Sequence, residues 1–111
     1  SITIRSILAN PAGSENQNES ITFVNTGQSP VDLTGWTVRD ITGRTWKLDA
    51  GGVVQPGQAV EVKRAGQRMA LNNSGDTVDL INPQGGVVLR VSYRSAPEGV
   101  QVTPTVEPLD P

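Results

Sequence analysis

The chain has neither cysteine nor histidine among its 111 residues, and its aromatics number only four: one Phe, two Trp and one Tyr. Without thiols there is no disulfide framework, no iron-sulfur cluster, no thiolate nucleophile and no structural zinc site of the usual kind. Without histidine the commonest general base and the commonest transition-metal ligand are gone. Catalysis would fall to Asp, Glu, Ser, Lys, Tyr and Arg, and would need them in a specific constellation. Apolar runs stop at two or three residues, as in Val87-Val88-Leu89. A spanning helix needs roughly 20 and a signal peptide roughly 7 to 15, so neither is expected here. Nine Lys and Arg against 11 Asp and Glu give a formal net charge of -2. That is the balance of neither a strongly basic nucleic-acid binder nor a polyacidic tail. The length fits one small domain. A chain without thiols survives equally in cytosol or outside the cell, so cysteine usage leaves the compartment open.

What the chain does have is β-branched residues: 14 Val, 6 Ile and 10 Thr. Apolar positions recur with period two, and 12 Gly and 8 Pro punctuate the runs, so the pattern predicts an all-β fold of about seven strands. Residues 2–8 read as a strand with a bulge, because Ile2 and Ile4 share a parity that Ile7 breaks. In 19–25, Ile21 and Phe23 point inward and Ser20, Thr22 and Val24 outward. Val31-Asp32-Leu33 leads to 36–40, with Trp36 and Val38 facing the core. Thr42-Gly43 marks a hairpin into 44–48, with Trp46 and Leu48 inward. Val60 and Val62 alternate with Glu61 and Lys63 in 58–64. Residues 65–73 read as a loop with a short helical turn around 68–71. Two further strands, 76–82 and 87–94, pair with Leu80 opposite Leu89. That register sets Asp79 against Arg90 outside, an exposed ion pair worth at most about 1 kcal/mol.

Residues 96–111 hold four of the eight prolines and read as an extended, weakly ordered linker; deletion of 97–111 should leave the melting temperature within a few degrees. The chain also opens directly on a strand with no initiator Met, as expected of a module within a longer protein.

The segments Asn18-Glu19-Ser20-Ile21-Thr22-Phe23-Val24-Asn25-Thr26-Gly27, Val31 to Val38 with its Leu33-Thr34-Gly35-Trp36 core, Pro56-Gly57-Gln58-Ala59-Val60 and Leu71 to Leu80 through Asn73-Ser74-Gly75-Asp76 together resemble the lamin tail domain. Asn10-Pro11 and Tyr93 fit the pattern of its bacterial members. The resemblance covers about residues 1 to 95. It implies an immunoglobulin-like β-sandwich with Trp36 as the core tryptophan of the third strand. It further implies a non-catalytic accessory module beside other domains of an exported or cell-surface bacterial protein. In nuclear lamins the domain follows a coiled-coil rod and binds proteins and chromatin; no rod precedes it in this sequence. The family supplies no catalytic residues to carry over.

Four candidate sites follow from the residues. The loop 10–19, with Asn10, Glu15, Asn16, Asn18 and Glu19, offers the oxygens a calcium ion wants, but its spacing matches no EF-hand, and turns use the same residues to bond their own backbone. No metal or cofactor is assigned. Asp32, Asp40, Asp76 and Asp79 are candidates for the acid pair of a glycoside hydrolase, set about 5 to 10 Å apart, but Asp32 and Asp76 adjoin turns, where carboxylates accept backbone N–H bonds. Phe23, Trp36, Trp46 and Tyr93 all fall on inward positions, which leaves no aromatic platform for sugars or single-stranded nucleic acid. The fourth is a face: Thr37, Arg39, Thr45, Lys47, Thr77, Asp79, Arg90, Ser92 and Arg94 point outward from one sheet. Four are basic and one acidic, a local +3 on a chain of net charge -2. Arg39, Lys47, Arg90 and Arg94 are therefore the candidate binding residues for an anionic partner, whether nucleic acid, an acidic glycan or an acidic neighbouring domain. A passive spacer domain and a carboxylate-based hydrolase fragment are the alternatives.

Overall fold

The computed structural model describes residues 1–109. The alternating runs form strands β1 (Ile2–Leu8), β2 (Ser20–Asn25), β3 (Val31–Asp32), β4 (Thr37–Asp40), β5 (Thr45–Lys47), β6 (Val53–Val54), β7 (Ala59–Lys63), β8 (Asp76–Ile81) and β9 (Val87–Tyr93), followed by β10 (Thr105–Glu107). A helical turn, α1 (Glu15–Asn18), interrupts the first loop. β1-β2-β7 form one sheet, β10-β9-β8-β4-β5 the other, and β3 and β6 a small ribbon. The result is an immunoglobulin-like β-sandwich, nearly all β. β4 and its hairpin partner β5 share a sheet with the long strands β8 and β9, as expected.

Registers follow from the alternation. The β1–β2 pairing jumps between Ile4 and Ser6, so Arg5 is the bulge residue and Ile7 returns to the core. Leu80 faces Leu89 and Asp79 faces Arg90 across β8–β9. The outward side of β2 is less open than its pattern suggests: Ser20 is fully buried and Val24 nearly so. β2 is the central strand of its sheet, and its small outward side chains are sheltered by β1 and β7. Ser20 there donates to Glu61. Asn25, also buried, donates to the Val54 and Ser29 carbonyls and accepts from Gly27 N–H.

Two expectations about the core are corrected. Trp46, on an edge strand, is the wholly buried tryptophan, whereas Trp36 only packs against the core partly buried. Trp36 stands ahead of β4 at the end of the sandwich. Trp46 lies mid-strand opposite Val38 and is covered by the crossover from β7 to β8. That crossover has no helix at 68–71; it runs irregularly, sinking Met69 and Leu71 into the core.

Residues 96–109 pack on the sandwich in place of the weakly ordered stretch that the prolines predict; Asp110 and Pro111 lie outside the described residues. Ala96 is buried, and Asn10 holds the segment twice, through Nδ2 to the Ala96 carbonyl and through its own carbonyl to Gly99 N–H. Ile7 and Val102 exchange two backbone bonds of 2.8 Å. β10 then pairs antiparallel with β9. The strap thus crosses from the β1 edge to the β9 edge and closes one side of the sandwich. Pro104 and Pro108 bracket β10, which limits further pairing along this new edge.

Two measurements check this packing. Trp46→Ala should destabilise by about 3–5 kcal/mol in chemical denaturation, and Trp36→Ala by less. Deleting residues 96–109 should lower the melting temperature by roughly 10 °C or more, as the loss of about 2 kcal/mol does in a domain this size. An unchanged temperature would return the strap to a linker.

Candidate functional site

The four cations assigned to the outer face divide into two kinds. Arg39, Asp79 and Arg90 stand in one cross-strand row on β4, β8 and β9. Arg90 grips the Asp79 carboxylate with Nε at 2.6 Å and Nη2 at 3.0 Å, and Arg39 adds Nη2 at 3.4 Å. Asp79 is only 8% exposed, so the pair expected to be open to solvent is a sheltered cluster. β10 brings a second acid to the same face: Glu107 lies opposite Arg90 and accepts from Ser92. Arg39 and Arg90 are therefore engaged in holding strands together. Lys47 on β5 and Arg94 just beyond β9 remain exposed, with no acid in salt-bridge contact among the described residues, but they lie apart.

Arg94 lines a cleft of about 740 Å³ that also holds Arg44, Asp40 and Asp76. Its carboxylates serve turns. Asp40 accepts from the backbone N–H and hydroxyl of Thr42, at 3.0 and 2.5 Å. Asp76 accepts from the N–H groups of Asn72 and Thr77, and burial holds its carboxyl above the ordinary value. Asp32 accepts from Thr34 N–H, which pulls its own carboxyl down. The acids singled out for hydrolysis are thus occupied by the backbone or by arginine. The 10–19 oxygens are likewise dispersed. Ser14 caps α1, Glu15 accepts from Asn73, and Glu19 turns into the core. Among the described residues no group of three or more acids gathers as a metal site.

Cations without an ion pair also gather at the β5 edge. Arg44, Lys47 and Arg68 line a hollow of about 500 Å³ with Thr42, Gly43, Thr45 and Gln67, and no acid lines it. Among the described residues no ion pair engages these three cations. Lys47 comes from the outward alternation of β5. Arg44 follows the Gly43 hairpin turn, and Arg68 comes from the β7–β8 crossover. The sequence signal for Arg68 is the run Lys63-Arg64-Ala65-Gly66-Gln67-Arg68, three cations without an acid; only the fold brings it beside Arg44.

The crossover is fixed at several points. Gln67 N–H returns to the Arg64 carbonyl, with Ala65 and Gly66 both at positive φ (47° and 83°), the tight reversal of a type I′ turn. The Arg64 guanidinium bonds the Gln67 carbonyl at 2.7 Å and reaches buried Glu19 at 3.5 Å. Glu19 also accepts from Leu71 N–H at 2.9 Å. The Trp46 indole N–H donates to the Met69 carbonyl at 2.6 Å, and the Tyr93 hydroxyl to the Asn72 carbonyl at 2.7 Å. Burial, with the Asp76 and Glu19 charges, raises the Tyr93 hydroxyl well above its ordinary value. Finally, the Gln67 side-chain amide accepts from Lys47 N–H at 2.7 Å and donates to the Lys47 carbonyl at 3.3 Å.

Stability measurements test both buried carboxylates. Asp79→Ala should cost about 1.5–3 kcal/mol, the range for hydrogen bonds to charged groups, because it strands two arginines. Arg90, and then Arg39, hold the Asp79 carboxyl down, so its contribution is present above pH 3.8 and lost as pH falls through the folded value. Glu19 has the opposite sign: burial pushes it up to about 7 from 4.5, against the Leu71 N–H and Arg64. Between those values the folded chain keeps a proton that the unfolded chain has released, so stability should fall as pH rises from about 4.5 to 7. Glu19→Gln should flatten that decline.

No curated protein and no solved structure matches the chain. The family model of the lamin tail domain matches residues 1–95, the sandwich through β9, and leaves the strap with β10 outside. It describes an immunoglobulin-like, non-enzymatic family of interaction or structural domains. The chain belongs to the lamin tail domain family.

Proposed function

We propose that this domain is a non-catalytic interaction module of a larger exported or cell-surface polypeptide, docking an anionic partner at its β5 edge. The extracellular setting rests on the habit of bacterial family members. The docking site rests on one observation, the hollow lined by Arg44, Lys47 and Arg68 with no acid in its lining. Arginine's planar fork suits carboxylate, sulfate and phosphate alike. Arg39 and Arg90 contribute to the sheet's integrity and Arg94 lies at the neighbouring cleft, so of the four cations chosen by alternation Lys47 alone remains in this reading. No helix of the described residues is long and apolar enough to cross a membrane.

Heparin and polyglutamate are the probes. At low ionic strength the wild-type chain should bind them with an affinity that falls steeply as salt rises. Changing Arg44, Lys47 and Arg68 together to Gln should remove the salt dependence and leave the melting temperature within a few degrees. A wild-type chain that binds neither polymer at low salt would make the domain a passive spacer.

A further inference from the structure

In an edge strand every second residue turns its main-chain N–H and C=O away from the sheet. Arg44 and Leu48 bond inward, to Asp40 and Trp36, and Trp46 pairs with Val38 between them, so Thr45 and Lys47 face outward. At Lys47 both outward groups are occupied, and the occupant is the Gln67 side-chain amide, which accepts the N–H and donates to the C=O. A primary amide with both bonds made to one residue reproduces what the backbone of an added strand would do. At Thr45, one step along the same edge, no hydrogen bond to any described residue satisfies the outward pair. The edge is therefore half filled by a stand-in and half open. The cations Arg44, Lys47 and Arg68 surround this stretch. The other end of the same sheet offers no equivalent, since β10 already covers β9 and carries Glu107.

We propose that the β5 edge is an acceptor for an extended acidic peptide, which adds as a strand beside Thr45–Lys47, displaces the Gln67 amide and meets Arg44, Lys47 and Arg68 with its carboxylates. The proposal rests on the anionic-partner reading and narrows it from any polyanion to a peptide with a backbone. Main-chain bonds supply the pairing and alternate side chains the selectivity. Acidic residues at every second position would fall beside Lys47, whereas a duplex nucleic acid has charge but no strand to add. Displacing Gln67 is local, because the turn that carries it is held by the Arg64 guanidinium and by its own backbone bond.

The test uses the full chain and a short peptide alternating Glu and Val, beside the same peptide N-methylated at alternate residues, which keeps every charge and removes one edge of donors. The unmethylated peptide should bind at low salt and the methylated one about tenfold more weakly, the equivalent of roughly 1.4 kcal/mol and within reach of one or two hydrogen bonds. In Gln67→Ala the Lys47 amide should exchange with solvent faster, the peptide should bind more tightly than to wild type, and its binding should protect that amide again. Equal affinity for the two peptides, or no change on Gln67→Ala, would overturn strand addition while leaving a charge-driven site standing if heparin still binds. Binding of duplex DNA or heparin without binding of the peptide would also overturn it. Failure of every polyanion would remove the underlying reading together with the inference.

Discussion

The bond from the Trp46 indole N–H to the Met69 carbonyl, 2.6 Å long and buried, is the constraint on which the rest of the structure depends. An edge strand normally leaves its side chains at the rim of the core, and a tryptophan there would be half wet. Here the β7–β8 crossover is drawn over β5, so the tryptophan is wholly buried with its one polar atom satisfied. Glu19 repeats the device from the other sheet by accepting from Leu71 N–H two residues further on. Between these anchors the backbone has little choice of path, and Gln67 and Arg68 arrive beside Lys47 as a consequence. The cationic hollow is thus made by core packing: the residues that line it are surface residues, and the interactions that place them are buried.

Electrostatics divides the five-stranded sheet along its width. In its middle, alternation places Asp79 between Arg39 and Arg90, and three charges that would repel or attract a partner are spent on one another at short distance. At the β10 side Glu107 joins them. At the β5 side no acid is within the hollow, so the same outward alternation leaves charge available. The net charge of -2 conceals this division, because binding answers to local field and not to the sum.

What the sequence made legible was what period two carries. The bulge in β1 follows from the broken parity of Ile7, and the Leu80–Leu89 and Asp79–Arg90 registers follow from matching apolar faces on either side of a Gly-rich turn. Sheet membership of the long strands came with the family pattern. What stayed hidden depends on contacts distant in sequence. Trp36 and Trp46 carry the same alternation signal, and only the path of the crossover decides which is buried. Pro97, Pro104 and Pro108 read locally as a disordered stretch, yet prolines flanking a short edge strand are compatible with pairing, and Asn10, Ile7 and β9 supply the partners. Arg44 and Arg68 belong to different segments with no shared periodicity, so nothing local groups them into one site. The Asp79–Arg90 pair reads as solvent-exposed for the same reason: the second arginine arrives from β4, across the sheet.

Buried anchors hold the β7–β8 crossover against β5, so that the hollow is preformed. Hydrogen exchange of the Trp46 indole proton tests it most directly. If the crossover is locked, that proton should exchange only through global unfolding, with an opening free energy equal to the stability measured by denaturant and lowered in step with it by destabilising substitutions elsewhere. Exchange many orders of magnitude faster, unaffected by such substitutions, would mean that the crossover lifts from β5 while the sandwich stays folded, and that the hollow is not a built site.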